Sequence, residues 1–491
     1  MATPDLATAT TMQLLIALER RDVSSVELLD EMLANIERMN PAVNAVVAVD
    51  LERARAEATA ADNSRAAGDP CGPLHGLPMS IKDCYETLDL ATTAGAPELT
   101  GHMATQDADV VRLLRRAGAI VWAKTNVPLY AGDHQTYNEV YGLTNNPWDL
   151  TRTAGGSSGG AAAAVACGFT TAEIGSDIGG SIRQPASVNG VFGLKTTYGL
   201  VSGRGHIPGP PESLTSSDLG VFGPIGRSCG DLRVLLEVLT NSASAFGGAP
   251  GAELPRFETQ PDIADLRIGV WSDDPVAPVD NSVKDLIEDA AERLADAGAE
   301  VDNEIRPAIA ADDLHRTYMQ LLNAAMSPGT PRHLWNDLIE KAASAAVDTD
   351  DAAEMFAMDT TIAHRNWLSA NERRAHAQRA WDDVFERVDV VLAPVLPVAA
   401  FPHDIERPYG KRTLRVNGAD VPYRNMLFWA GLATMPLLPS VSIPVGHTAG
   451  GLPVGMQLIG PKWSDHKILS IGEELTSVLG ERFTPPPLVT G

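Results

Sequence analysis

The feature that most constrains this chain is a helix that stops at a glycine and passes at once into an apolar strand. It occurs twice. Asp109 to Ala117 forms an amphipathic run that reaches Gly118 and continues as Ala119-Ile-Val-Trp-Ala123. Over 266–303, the strand Arg267-Ile-Gly-Val-Trp271 leads to a helix at 281–297, a stop at Gly298 and a further strand around Glu300–Ile305. Alternation of this kind predicts an α/β fold, with a large, twisted, parallel or mixed β-sheet covered by helices on both faces. With 491 residues, 44% of them hydrophobic, the chain can bury the core such a sheet needs.

The flanking segments fit around that sheet. Residues 10–39 read as two helices, the second opened by a capping box of Ser24 and Glu27 and carrying the stripe Val26, Leu29, Leu33, Ile36. Asn40-Pro41 is expected to close it. Residues 306–387 turn helical and rich in Ala, Asp and Glu, with Met319, Met326, Trp335, Met355, Met358 and Trp367 spaced as an amphipathic layer over the core. From Val388 strand-like sequence returns at Val390–Pro394, Val441–Val445 and Leu452–Ile459.

Charge and cysteine usage exclude several functions. A net charge of −25 repels phosphate backbones and anionic membrane surfaces, so neither nucleic acid nor a membrane is an expected partner. The cysteines Cys71, Cys84, Cys167 and Cys229 lie far apart, with no C-x-x-C pair, so no metal, cofactor or disulfide frame is expected. Cys84 follows Lys82 closely, but a buried structural thiol is the ordinary reading. The start of the chain has no secretory pattern, and Pro436, Pro439 and Pro444 interrupt the apolar stretch 427–445. A cytoplasmic protein is expected.

Three elements carry chemistry. The first, Thr153-Ala-Gly-Gly-Ser157-Ser158-Gly-Gly, runs into an Ala-rich helix. It can be read as a capped helix start, as a phosphate cradle lacking the Walker lysine, or as a G-x-S-x-G elbow lacking its preceding buried strand. The second, Ile174-Gly-Ser-Asp-Ile-Gly-Gly-Ser181-Ile-Arg-Gln-Pro185, sets glycine N–H groups around a serine, as an oxyanion hole requires. The third, Gly76-Leu-Pro-Met-Ser-Ile-Lys82-Asp83, ends an apolar run on a lysine. That lysine either enters the interior or reaches solvent from an edge strand.

Together these elements resemble the amidase-signature family, at the family's spacing of lysine, serine and serine. The likeness continues through Gly193-Leu-Lys-Thr-Thr-Tyr-Gly199 to Ser442-Ile-Pro-Val-Gly446 and Gly451-Leu-Pro-Val-Gly455, and is weakest over 306–387. The resemblance implies a single amidase-signature domain over 1–491. Within it, 1–70 would be an N-terminal helical segment, 71–230 the catalytic core, 231–305 a strand-helix-strand extension, 306–387 a helical substrate-covering insertion, and 388–491 a return to the core sheet.

The same resemblance implies a Ser-Ser-Lys triad. Ser181 would attack a carbonyl, Ser157 relay its proton to Lys82, and the N–H groups of Ile178, Gly179, Gly180 and Ser181 hold the oxyanion. Ser158 competes for the relay role, but the family's position falls on Ser157. Lys82 can act as a base only when neutral, so it should be buried beside hydroxyls, with Asp83 turned to the opposite face of its strand. The Gly156–Ser157 peptide is expected to be cis. Lys124, Asp177, Arg183 and Lys195 read as braces for the catalytic loops. None of the eleven histidines falls in a catalytic segment. Leu129, Tyr130 and His134, after Lys124-Thr-Asn126, are the expected pocket wall. Where a malonamidase-like enzyme would place an arginine for a substrate carboxylate, this chain has Gln184.

The implied function is a stand-alone serine amidase for small or aryl amides, with esters and carbamates, including urethanes, open to the same route. Its expected partners are the small-molecule amide, ester or carbamate substrate and, as an assembly, a homodimer. The alternative, from a different class, is the glutaminase subunit of a tRNA-dependent amidotransferase.

Overall fold

Helix ends in the N-terminal segment follow from their capping chemistry. Thr10 and Gln13 form a capping box that opens α1 (Thr11–Arg20), and Ser24 with Glu27 opens α2 (Ser25–Val43) in the same way. Asn40-Pro41 does not close α2: Pro41 lies inside its last turn, and the helix stops at Asn44 in the left-handed region. A proline this near the end costs one backbone bond. Asn40 secures the exit from the helix, its carbonyl accepting from Asn44 N and its side chain from Ala45 N and Val46 N. Leu51–Ala67 (α3) follows, and α4 (Asp109–Arg116) ends just before Gly118 as its pattern predicts. This computed structural model describes residues 5, 7–209, 211, 213–240, 254–346 and 349–490.

Two sheets position the chemistry. β1 (Val46–Val49), β2 (Pro78–Lys82) and β3 (Ile120–Thr125) form a small sheet in the order β1-β3-β2, with β2 parallel to β3. The large sheet contains β4 (Glu173–Asp177), β5 (Phe192–Lys195), β6 (Val221–Gly226), β7 (Arg267–Val270), β8 (Glu300–Asp302), β9 (Val390–Pro394), β10 (Ser440–His447) and β11 (Pro453–Ile459). Its order is β8-β7-β9-β11-β10-β5-β6-β4. It is a mixed sheet: β7 pairs in parallel with β8 and β9, and the remaining pairs are antiparallel. The lysine strand β2 therefore stands outside the large sheet and meets it near β4.

Helices cover both faces of the large sheet. α5 (Gly159–Cys167) packs on α6 (Arg183–Asn189), and α6 on β10 and β11, while α7 (Cys229–Thr240), α8 (Asn281–Asp296) and α14 (Asp465–Leu479) form the other layer. Strand alternation shows the two sides: Gly455 on β11 approaches Ser187 of α6, whereas Leu458, of opposite parity, meets Gly472 of α14. Between residues 306 and 387 the chain is helical as expected, with α9 (Ala311–Met326), α10 (Arg332–Ser344), α11 (Ala352–Thr360) and α12 (His364–Phe385). α9 packs on α11, α12 and the apolar helix α13 (Met426–Thr434), whereas α10 buries no side chain. No described helix is long and apolar enough to cross a membrane.

Candidate active site

Lys82 ends β2, whose five residues are all buried. Alternation sends Ser80 and Lys82 to one side and Met79 and Ile81 to the other. Ser80 donates to the carboxyl of Glu173, which also accepts from Thr125 at 2.5 Å and which burial pushes up to about 7. Lys82 is fully buried, and its Nζ lies 2.8 Å from Ser157 Oγ, 2.9 Å from Ser158 Oγ and 2.9 Å from Ser176 Oγ. Burial pulls the ammonium down to about 8, opposed by weaker attraction to the Asp177 and Glu173 carboxyl groups. Asp83 turns away, accepting from the Thr93 hydroxyl at 2.5 Å and lying 4.0 Å from Lys124.

Ser157 sits at the entry to α5, after a cis Gly156–Ser157 peptide. Gly156 is required there by close approach, since a Cβ would come within 2.5 Å of the Asp133 carbonyl oxygen. Thr136 Oγ1 donates to the Gly155 carbonyl at 2.8 Å and fixes the loop from the other side.

Ser181 follows β4 in a turn organised by Asp177. The Asp177 carboxylate accepts from Gly180 N at 2.8 Å and Ile182 N at 3.1 Å, and is paired with the Arg183 guanidinium at 3.0 Å. Burial pushes the carboxyl up, but Arg183, Lys195 and the Gly180 N–H together outweigh it and hold Asp177 at about 2. Gly180 is left-handed (φ +98) and already packs on Gln184, so a side chain there would be strained. The Gly180 N–H is engaged by Asp177, which corrects the expectation that it faces an oxyanion. The N–H groups of Ile178, Gly179 and Ser181 have no partner among the described residues. Ser181 keeps 6% exposure, its carbonyl accepts from Ser158 N at 3.1 Å, and its hydroxyl has no partner among the described residues.

The expected wall residues separate. His134 is buried beside the turn: a Cβ on Gly179 would lie 3.6 Å from its Cε1, and its Nδ1 is 2.7 Å from Gln184 Oε1. Burial lowers His134 below the usual imidazole range, so it is neutral and donates from Nδ1. Leu129 is half-exposed, and Tyr130 directs its hydroxyl to Glu98 at 2.6 Å; neither hydrogen-bonds to Lys82, Ser157 or Ser181.

Several residues escaped the sequence reading. Tyr318 of α9 donates to the Ile178 carbonyl at 2.8 Å, tying the helical layer to the Ser181 turn. Leu427 faces Gly179, and Tyr409 and Tyr423 pack around His134. Arg412 on the same wall is bound to Asp133 at 2.5 Å and to the Tyr137 hydroxyl at 2.7 Å. A groove of about 970 Å³ lined by Met12, Ile16, Cys71, His75 and Val234 shares no residue with this site. Cys84 is buried, and burial pushes its thiol up to about 12, far from a nucleophile's range. Among the described residues no cluster of metal-ligating side chains occurs.

A family model described as Amidase matches residues 27–469. A glutamyl-tRNA(Gln) amidotransferase subunit from Roseiflexus sp. (strain RS-1) is 34% identical, over 96% of this chain and 96% of its own. A solved amidase superposes with a TM-score of 0.77 at 28% identity, covering 96% of this chain and 99% of that one. The corresponding glutamyl-tRNA(Gln) amidotransferase subunit from Thermotoga maritima superposes with a TM-score of 0.76 at 26% identity, over 97% and 96% of the two chains.

Proposed function

The chain belongs to the amidase-signature family, and from that premise we propose that it hydrolyses the C–N bond of small uncharged amides through an acyl-enzyme on Ser181. The observation that carries this is the buried Lys82 amine held by hydroxyls, with Ser157 at 2.8 Å. A lysine pulled down to about 8 is partly neutral near neutral pH and can accept a proton. In the proposed route, Ser181 Oγ attacks the carbonyl carbon as its proton passes to Ser157 and the Ser157 proton to Lys82. The N–H groups of Ile178, Gly179 and Ser181 stabilise the oxyanion. The protons return through Ser157 to the leaving nitrogen, the C–N bond breaks, and water then releases the acid by the same relay. Esters and carbamates fit this chemistry.

The wall of His134, Leu427, Tyr409 and Tyr423 beside Gly179 supports an uncharged acyl group. His134 is neutral there, and Arg412 is already paired with Asp133. The second reading, a glutaminase component of an amidotransferase, is supported by the full-length similarity to the Roseiflexus relative. Incubating the purified chain with p-nitroacetanilide, a phenyl carbamate, a p-nitrophenyl ester and glutamine, and reading the Ser181 adduct by peptide mass, separates the two. Acylation by the anilide or carbamate without other components is expected; acylation by glutamine alone would favour the second reading.

A further inference from the structure

Two groups beside Lys82 have no task in the proton relay, Ser176 and His206. Ser176 Oγ lies 2.9 Å from Lys82 Nζ and 2.9 Å from His206 Nε2. His206 is clamped in place: its neighbour Ile207 N donates to the Cys84 carbonyl at 2.8 Å, and its ring packs edge-on to Tyr85 at 4.9 Å and against Phe222 at 4.9 Å.

As an ammonium, Lys82 donates to all three surrounding hydroxyls. As a free amine it keeps two N–H bonds and one lone pair, so one hydroxyl must turn and donate to it. Which one turns depends on where the other hydroxyl protons can go. The Ser158 hydroxyl points to the Ser176 carbonyl, 3.5 Å away. The Ser176 hydroxyl has one acceptor besides Lys82 among the described residues, Nε2 of His206. The Ser157 hydroxyl has none besides Lys82. We infer that His206 is a positioning residue which, by accepting the Ser176 proton, aims the free Lys82 lone pair at Ser157. This rests on the Ser181–Ser157–Lys82 reading and adds the device that gives its relay a direction.

The inference needs His206 neutral with Nε2 unprotonated. The groups around it favour that: Lys82 is the charge that bears on it, the Tyr85 phenol donates to the Gly175 carbonyl at 2.7 Å, and Phe222 is apolar. Glu173 and Asp177 are the carboxyl groups that bear on Lys82, and Cys84 keeps its proton. Burial and the Lys82 charge hold the imidazole well below its usual range. Without the His206 acceptor, the buried Ser176 proton would take the Lys82 lone pair for itself.

The test reads nucleophile activation without knowledge of the natural substrate. Phenylmethanesulfonyl fluoride sulfonylates Ser181: the Oγ–S bond forms, fluoride leaves, and the serine proton passes through Ser157 to Lys82. In the full chain, His206→Phe is expected to slow this reaction about tenfold while its pH midpoint stays in place. Adding Ser176→Ala, which removes the misdirected proton, is expected to restore the rate to within about threefold of wild type. A His206→Phe variant at the wild-type rate, or a double variant slower than His206→Phe, overturns the inference. His206→Gln, whose amide oxygen can accept the same proton, carries the test if the phenylalanine variant does not fold. It should stay within about threefold of wild type, and a tenfold loss overturns the inference. If wild-type Ser181 is not sulfonylated, or Lys82→Met is sulfonylated as fast as wild type, the triad reading itself fails. If those controls hold, a miss in the His206 series removes this inference alone.

Discussion

Lys82 and Lys124 sit on adjacent strands of one small sheet, both fully buried, and burial pulls both down to about 8. Their surroundings differ in what a lone pair would meet. Lys124 donates to the Tyr85 carbonyl at 2.5 Å and to Thr92 Oγ1 at 2.9 Å, and the Thr92 hydroxyl has already given its proton to that same carbonyl. Asp83 adds a carboxylate 4.0 Å away. A neutral Lys124 would find no donor, so this surrounding preserves its charge. Lys82 faces hydroxyls, one of which can reverse. A third buried lysine, Lys195, donates to the carbonyls of Leu438 at 2.7 Å and Thr196 at 3.3 Å and belongs with Lys124. Burial makes a lysine ready to lose its proton; in the proposed route, reversible partners let Lys82 act as the base.

The largest expected effect that would break this contrast is on Lys82→Met. It should lower kcat/KM by about 10⁴-fold, as loss of a residue acting within a triad does. Its unfolding free energy should move by only about 1 kcal/mol, because the freed hydroxyls can pair with one another. Activity surviving this change would make Lys82 another structural lysine. Lys124→Met should behave in the opposite way. It strands Asp83 in the interior and should cost about 3 kcal/mol in urea unfolding, as removing one member of a buried pair does, with kcat/KM of the folded protein within about threefold of wild type.

The pH profile sharpens the contrast further. In the proposed route the reactive form carries neutral Lys82, so kcat/KM should rise about tenfold per pH unit below the midpoint and level off above it. The expected midpoint is about 8. In Lys124→Met the midpoint should stay where it is; a shift of a full unit would mean that the two lysines titrate as one system. The smallest effect is expected from Thr92→Val, which removes one hydroxyl from the Lys124 site. It should cost about 1 kcal/mol in stability, measured by thermal unfolding, and leave the rate alone.

Much of the site was legible because its residues are contiguous in short runs. Gly-Gly-Ser181 and the glycines before Ser157 announce tight backbone, and the apolar run ending on Lys82 singles out that lysine, which the family resemblance then places in the interior. The helix boundary at Pro41 was misread because a proline in the last turn removes only one backbone bond, and Asn40 ties down the chain just beyond it by accepting from Ala45 N and Val46 N. Gly180 was misassigned because its N–H turns toward Asp177, a local hydrogen bond that residue type alone does not encode. Tyr318, Leu427 and His206 left no signal in the sequence. Each reaches the site from a distant segment, and an isolated Tyr, Leu or His has many structural uses.

What the sequence by itself determined is the inventory: strands and helices in alternation, two serine loops and one lysine, at a spacing that identified the family. What only the tertiary structure decided is direction. Lys82 has donors and acceptors all around it, and which hydroxyl gives it a proton depends on where every neighbouring proton already points. That is a property of contacts between β2, the loop before α5, β4 and the segment carrying His206, which are far apart in the chain and meet only when the two sheets pack.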